Sequence, residues 1–432
     1  MNPPSDRPLR LAYLMSRFPK ATETFILYEI LELERLGHRV EMFPLVIQPE
    51  AVVQPGAADL VARANDIRPS SREVVTAQAH WLRRRPRRYL GAWAAAIRGN
   101  IRSPRFLLRA LVVVPLGATF ARRMVTLRID HIHAHWATHP ALAAYVAAAL
   151  TDLPFSFTAH AHDIYVERAM LDEKIRAARF VVTISEQNRR MLEGWFGRAA
   201  VAKVVVIHCG ADPALFAPQA VESGSVTPVG RSADAPLRIV CLASLQPQKG
   251  QRFLIEACRL LVDRGIVVQC QLVGEGDERP ALESRIRDLG LGDVVELLGA
   301  QPHDRVAELV GRSDVVVQAS ITLPSGKTEG IPVALMEALA AERAVVASRL
   351  SGIPELVADG ETGLLVEPGD PIALANAIER LAGDPDLRSR LGRSGRDRVL
   401  REFDLRLNTA ALAERFRASV EGPVGSGGPA AP

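Results

Sequence analysis

A chain of 432 residues, 48% hydrophobic and 24% charged, has room for two or three globular domains and is too apolar to be disordered throughout. No uninterrupted apolar run reaches the roughly 20 residues a membrane-spanning helix needs, and the opening MNPPSDRPLRLAYLMSRFP has no signal-peptide core. The net charge of +4 is uneven: residues 72–128 hold thirteen Arg and one acid, Glu73, for +12, which leaves −8 on the remainder. Four cysteines, Cys209, Cys241, Cys258 and Cys270, show no CxxC spacing and sit in apolar contexts. They read as reduced core residues, and the expected compartment is the cytoplasm.

In chain order, LRLAYLM (9–15) is an apolar strand and SRFPKATET a loop carrying Arg17, Lys20 and Thr22. Phe25–Leu36 has helical periodicity, with Thr24 as its expected cap; Gly37 closes it and HRVEMFP (38–44) is the next strand. Strand, helix, strand is a βαβ unit, whose ligand loops lie after the strands. Residues 57–128 break the alternation. They read as an inserted helical layer in which Arg83, Arg84, Arg85, Arg87 and Arg88 cluster beside Trp81, Tyr89 and Trp93. Such a face is either simply solvated or apposed to anionic lipid or nucleic acid. Interleaving of basic with aromatic and aliphatic residues favours a membrane surface, so no nucleic-acid partner is expected.

The alternation resumes with strands at 129–136, 155–158, 180–184 and 204–207, and helices at 140–150 and 172–178; Ser185 is placed to cap a further helix. QAVESGSVTPVGRSADAP then marks a linker, assigned to 217–236. A second α/β half follows: strands at 237–244, 267–273, 294–298, 314–317 and 344–347 alternate with helices at 252–264, 279–289, 304–311, 333–341, 371–381 and 386–398. A final helix spans 407–420, and the GPVGSGGPAAP tail (422–432) reads as disordered. The fold class is therefore α/β, with an N-terminal domain at 1–216, a C-terminal domain at 237–400 and a last helix at 401–421. Clefts between domains are the default ligand site.

Three groups of residues carry chemistry. Six of the ten histidines, His131, His133, His135, His139, His160 and His162, lie between positions 131 and 162. On a strand, His131, His133 and His135 share one face. They are either packing residues or an HxH metal set with Asp130 and Asp163 as carboxylates. His160, at a strand end, is placed to meet a substrate hydroxyl. Lys249, before Gly250 in a strand–loop–helix step, is placed to meet phosphate. Glu329 and Glu337 stand eight residues apart in TEGIPVALMEALA. If both are helical they lie about 12 Å apart, too far to grip one small group but suited to the two ends of an elongated, hydroxyl-rich ligand. Pro332 fits the first helical turn.

The ordered set CLASLQPQKG, QLVGEGDERPALE, SDVVVQAS, EGIPVALMEALA and SGIPELVADGETGLLVEPGD resembles the family-4 retaining glycosyltransferases. SRFPKATETFILYEILELERLGHRV, HAHWATHPALAA, FTAHAHDIY and VIHCGADPALF resemble the bacterial exopolysaccharide branch, of the colanic-acid type. The resemblance covers nearly the whole chain. It implies a GT-B fold of two facing Rossmann-like domains, with the last helix crossing back to the first. It further implies that Glu329 binds donor-sugar hydroxyls, Glu337 binds the ribose, and the Gly330 and Ile331 amides hold the diphosphate. Lys249 would neutralise the leaving group and His160 would contact the donor sugar. No metal and no cofactor are implied; the nucleotide diphosphate sugar is a co-substrate. Where the family carries a GRL-like sequence, this chain has Ala243-Ser244-Leu245. The position of the usual phosphate-binding Arg is thus Ser244, and Arg17, Lys20, Arg252 and Lys327 are the candidate replacements.

The expected protein is a cytoplasmic, metal-independent hexosyltransferase on the inner face of the plasma membrane. Its acceptor is a lipid-linked oligosaccharide or polysaccharide precursor, and the 72–128 segment contacts anionic lipid. The alternatives are a metal-dependent hydrolase using the His131–His162 cluster and a non-catalytic, membrane-associated binding module.

Overall fold

The computed structural model describes residues 7–20, 23–48, 56–218 and 235–422. The expected linker falls largely on 219–234 and the expected tail on 423–432; these, with Ala21 and Thr22 of the first loop, lie outside the described residues. Two compact units divide the chain. One comprises residues 1–207 with 409–432, the other His208–Asn408. The division therefore comes after Ile207 rather than Phe216. The reason is a backbone bridge from Ala211 to Asp404, with His208 stacked on Phe403 at 4.4 Å, which ties residues 208–216 to the second unit.

The first unit is built on a parallel sheet of β1 (Arg10–Phe18), β2 (Arg39–Ile47), β3 (His131–His135), β4 (Phe155–Ala159), β5 (Phe180–Thr183) and β6 (Val204–Val206). Its strand order is β2-β1-β3-β4-β5-β6. The strand order reverses between β1 and β3, so their C-terminal loops flank the position where open α/β sheets bind ligands. The helix after β1 is Thr24–Arg35. Thr24 is its first helical residue, with Glu23 before it and no side-chain cap. Ser185 does cap the helix Glu186–Phe196, its Oγ accepting from the Asn188 amide at 3.1 Å.

The segment between β2 and β3 forms the helices Ala57–Ala62, Arg72–Arg84, Pro86–Asn100 and Pro104–Leu127. The last runs unbroken through Pro115 and Arg109 for 24 residues, so it is long and apolar enough to cross a membrane by length and composition. Ala110, Val113, Val114, Leu116 and Phe120 on it are nonetheless buried in the unit's core. It packs closely on the helix His139–Thr151: a Cβ added to Gly117 would lie 3.0 Å from the Ala143 carbonyl oxygen. Trp81 also belongs to this core. It is buried, and its Nε1–H donates to the Ala118 carbonyl at 2.7 Å. The reading of Trp81 as a membrane-facing residue is thus overturned. Residues two apart on a helix point about 200° apart, so Trp81 and Arg83 face opposite ways. Trp93 is half-buried against the same core. Tyr89 is buried, its hydroxyl bonded to Gln78 at 2.9 Å. Arg83, Arg84, Arg87 and Arg88 are exposed, and Arg85 half-buried; Arg85 and Arg88 both pair with Asp152.

Residues from Thr409 onward, the greater part of the helix Leu405–Glu421, count with the first unit. They cover the histidine face of β3. The Phe416 ring lies 4.9 Å from His131, 5.1 Å from His133 and 5.9 Å from Phe180.

The second unit has a parallel sheet of β7 (Leu237–Leu242), β8 (Val268–Val273), β9 (Val295–Gly299), β10 (Val315–Gln318), β11 (Ala344–Ser348) and β12 (Leu364–Val366). Its order is β12-β11-β10-β7-β8-β9. Counted within the unit this is 3-2-1-4-5-6, the dinucleotide-binding arrangement, with its switch point between β7 and β10. β12 escapes a periodicity reading because it has only three residues; pairing of Leu364 with Val346 defines it. Cys241, Cys258 and Cys270 are buried free thiols in this core, and burial pushes the Cys241 thiol up to about 12.

Candidate active site

The second unit brings Lys249 and Glu329 together at the switch point. Lys249 ends a tight turn, Pro247–Lys249, after β7. Gly250 follows with φ +67°, and a Cβ there would sit 1.9 Å from the Ala319 carbonyl oxygen. Only glycine permits both the left-handed backbone and that approach. The Ile321 amide donates to the Gln248 carbonyl at 2.8 Å, tying the Lys249 turn to the loop after β10. That loop folds on itself through the Leu323 amide to the Lys327 carbonyl, 2.9 Å, and Thr322 to Thr328, 3.0 Å. Glu329 leaves it and pairs with the Lys249 ammonium; the two side chains are 17% and 18% exposed. The pair retains enough solvent access to be reached by a ligand.

The helix after this loop is Val333–Ala340, preceded by Pro332 in extended conformation. Glu329, Gly330 and Ile331 are therefore loop residues, and the helical spacing expected between Glu329 and Glu337 does not hold. Pro332 stands just outside the first turn rather than within it. Among the described residues, the Gly330 and Ile331 amides donate to no protein acceptor, although both residues are buried. Glu337 is buried too, and its Oε1 lies 2.9 Å from Nε2 of His303, at the start of the helix His303–Arg312. The His303 ring packs on Phe216 at 5.3 Å.

Sequence reasoning missed His303, and it also missed three polar atoms at the switch point. Gln248 Oε1, Gln318 Oε1 and Ser320 Oγ are buried and meet no hydrogen-bond partner among the described residues. Buried polar atoms are usually satisfied, so three orphans beside one loop pair mark a place for a polar ligand. Ser244 follows β7; its carbonyl accepts from Gln251 Nε2 at 3.0 Å. Of the cations considered as replacements for an arginine there, Arg252 lies over the Phe253 ring at 4.5 Å. Arg17 donates to Gln48 at 2.9 Å and Lys20 pairs with Glu23 at 2.6 Å, both within the first unit.

In the first unit every histidine of β3 is bonded at both nitrogens. His131 meets Ser156 Oγ and Ser419 Oγ, each at 2.7 Å. His133 meets Ser156 Oγ at 2.8 Å and Thr158 Oγ1 at 3.0 Å. His135 meets His160 Nε2 at 3.2 Å and Glu29 Oε1 at 3.0 Å. The expected carboxylates do not join them. Asp130 takes Arg7 and the Arg10 amide, while Asp163 accepts from the Ala137 and His160 amides. Glu29 is the acid that arrives instead; its oxygen and the His133 and His135 nitrogens lie within 4.8 Å of one another. A metal there would have to displace the hydroxyl partners of His133. The His162 side chain lies outside the described residues.

His160 is buried at the end of β4, against Trp136 at 4.4 Å and Phe25 at 4.9 Å. Trp136 holds φ +80°, a strained backbone for a bulky residue. Lys174 donates to the Ala137 carbonyl beside it, and burial lowers that ammonium to about 7.

Burial, with the neighbouring His135, holds His160 well below the ordinary histidine value; burial acts likewise on His133 and takes His131 down to about 3. These rings are neutral when folded and take up protons on unfolding below pH 6.5. The stability these rings contribute is thus complete above about pH 6.5 and falls as pH drops below it, by about 1.4 kcal/mol per pH unit for each such histidine. Denaturant midpoints between about pH 6.5 and 5, above most carboxylate titration, should decline steeply. A flat profile there would show the rings protonated in the native state.

Comparison with known proteins agrees with this architecture. The family profile "Glycosyl transferases group 1" matches residues 228–398, and "Glycosyltransferase Family 4" matches 22–215. The chain is 28% identical to the amylovoran biosynthesis glycosyltransferase AmsK of Erwinia amylovora, over 94% of this chain and 98% of that protein. It is 28% identical to the putative colanic acid biosynthesis glycosyltransferase WcaL of Escherichia coli K12, over 95% and 100%. A GDP-mannose-dependent phosphatidylinositol monomannoside mannosyltransferase of Mycolicibacterium smegmatis is 30% identical over 59% of this chain and 68% of its own. Among solved structures, a Rickettsia africae glycosyltransferase superposes with TM-score 0.70 at 18% identity, covering 96% of this chain and 100% of that one. Anabaena HepE, solved with UDP-glucose, superposes with TM-score 0.68 at 20% identity, covering 94% and 98%. The chain therefore belongs to glycosyltransferase family 4, the retaining, metal-independent transferases with two Rossmann-like domains of the GT-B fold.

Proposed function

We propose that this glycosyltransferase moves a hexose from a nucleotide diphosphate sugar to a lipid-linked oligosaccharide or polysaccharide precursor in exopolysaccharide biosynthesis. The observation that carries the reading is the meeting of Lys249 and Glu329 at the switch point of a dinucleotide-type sheet. In this reading Lys249 neutralises the diphosphate as it leaves, where charge grows in the transition state. The Gly330 and Ile331 amides hold the same group. Glu329 exchanges Lys249 for donor-sugar hydroxyls, and Glu337 takes the ribose. His160 contacts the donor sugar. The departing phosphate accepts the acceptor's proton, so no carboxylate pair is required.

Near-full-length similarity to AmsK and WcaL, named for amylovoran and colanic acid, supports a polymer of the cell surface. HepE was solved with UDP-glucose and the mycobacterial relative is GDP-mannose-dependent, so UDP- and GDP-hexoses are the donors to test first. The enzyme works on the cytoplasmic side of the plasma membrane, with the helices between β2 and β3 on anionic lipid. Supporting this, Leu82, Leu90, Ile97, Leu108 and Leu111 are exposed on those helices among Arg83, Arg84 and Arg87.

A thermal-shift screen over UDP-, GDP- and ADP-sugars tests the donor site. A donor at a hundred times its Kd stabilises by about 2.7 kcal/mol, and one base class should raise Tm by a few degrees. No rise with any of them at millimolar concentration would refute the assignment.

A further inference from the structure

Tyr13, Glu29, His135 and His160 form one continuous hydrogen-bonded chain inside the first unit. The Tyr13 hydroxyl lies 2.8 Å from Glu29 Oε1, and His135 Nε2 lies 3.0 Å from the same oxygen. His135 Nδ1 lies 3.2 Å from His160 Nε2. Tyr13 is buried beside Glu29, and burial followed by that carboxylate raises its hydroxyl well above the usual value; it stays protonated and donates.

Each later bond direction follows from the first. A carboxylate has no hydrogen to give, so Glu29 accepts from His135 Nε2–H. A neutral imidazole protonated at Nε2 has its lone pair on Nδ1, so His135 Nδ1 accepts. The atom facing it, His160 Nε2, must then carry the hydrogen. The rings of His133 and His160 lie 5.1 and 5.5 Å from that of His135, and burial holds both well below the ordinary histidine value, so His160 is neutral and carries one ring hydrogen.

We propose that Glu29 and His135 are positioning residues that hold His160 in the Nε2–H tautomer, leaving Nδ1 to accept a hydrogen bond from a donor-sugar hydroxyl. The second half of that statement rests on the reading of His160 as a donor-sugar contact; the first half does not. The tautomer of a histidine is set by what its other nitrogen meets. Here the setting residue stands 106 positions from His135 in the chain. The consequence is directional: a neutral His160 would accept from the sugar rather than donate to it.

Long-range 1H–15N NMR on 15N-histidine-labelled protein reads the tautomer directly and needs no substitution. The expected spectrum has His160 with a protonated Nε2 and a bare Nδ1; the opposite assignment overturns the proposal. In Glu29→Leu the two tautomers should mix, and kcat should fall about tenfold with little change in donor KM. Turnover is followed as nucleoside diphosphate release from UDP-glucose, UDP-galactose and GDP-mannose. Tyr13→Phe keeps the Glu29–His135 bond and should keep the wild-type tautomer. A Glu29→Leu variant with an unaltered His160 tautomer overturns the positioning role. Full activity in His160→Ala would instead reject the donor-contact reading while leaving the tautomer result standing.

Discussion

Lys249→Ala lowers kcat at least a hundredfold while the protein remains folded. Removing one preorganised group that meets developing charge typically costs about 10²–10³ in kcat. Lys249 is placed for that role because its turn is fixed at two points: Gly250 under Ala319, and Gln248 bonded to Ile321. Neither point involves the ammonium, so the loop keeps its course without it. The substitution does leave Glu329 without its cation. Far-UV circular dichroism and the melting temperature must therefore accompany the kinetics. Lys249→Ala with more than a tenth of wild-type kcat would remove Lys249 from the chemistry. Unchanged cellular polymer production in both Lys249→Ala and Glu329→Ala would favour a non-catalytic binding module.

The second large effect concerns the membrane. Reversing Arg83, Arg84 and Arg87 to Glu should release the protein from vesicles containing anionic lipid. Each basic side chain at such a surface contributes about 1 kcal/mol, so losing three weakens partitioning on the order of a hundredfold, and reversal weakens it further. Arg85 and Arg88 are left out because both pair with Asp152, and changing them would disturb the helix junction as well as the surface charge. Trp81 is left out because it is core. Binding should also weaken with salt, because exposed charges are screened within about 8 Å at physiological ionic strength. Unchanged co-sedimentation with phosphatidylglycerol vesicles would reject the membrane role of this face.

Much of the fold was legible in one dimension because alternating strands and helices impose different hydrophobic periods. The helices at 25–36 and 252–264 were found within a residue or two of their observed bounds. The errors have definite causes. Three-residue β12 is too short to show a period. A helical spacing from Glu329 to Glu337 is suggested because Pro332 suits a first turn, yet Glu329–Ile331 are loop residues and the helix begins only at Val333. Trp81 beside an arginine run suggests an interface in linear order, whereas helix rotation turns it to the other side.

What the sequence by itself determined was the alternation that makes two α/β units, and the candidate side chains of each: His160 in the first, Lys249, Glu329 and Glu337 in the second. Which of them meet was decided only by the tertiary structure. Lys249 and Glu329 are 80 residues apart, and they touch because the order β10-β7 makes neighbours of two strands separated by two others in the chain. Glu29 entered the sequence reading as one more position on an amphipathic helix. Its role in orienting His135, and through it His160, exists only because β1 and β3 pair directly and a helix crosses beside them. Local patterns are set by a residue's neighbours in the chain, whereas a hydrogen bond's direction is set by its neighbours in space.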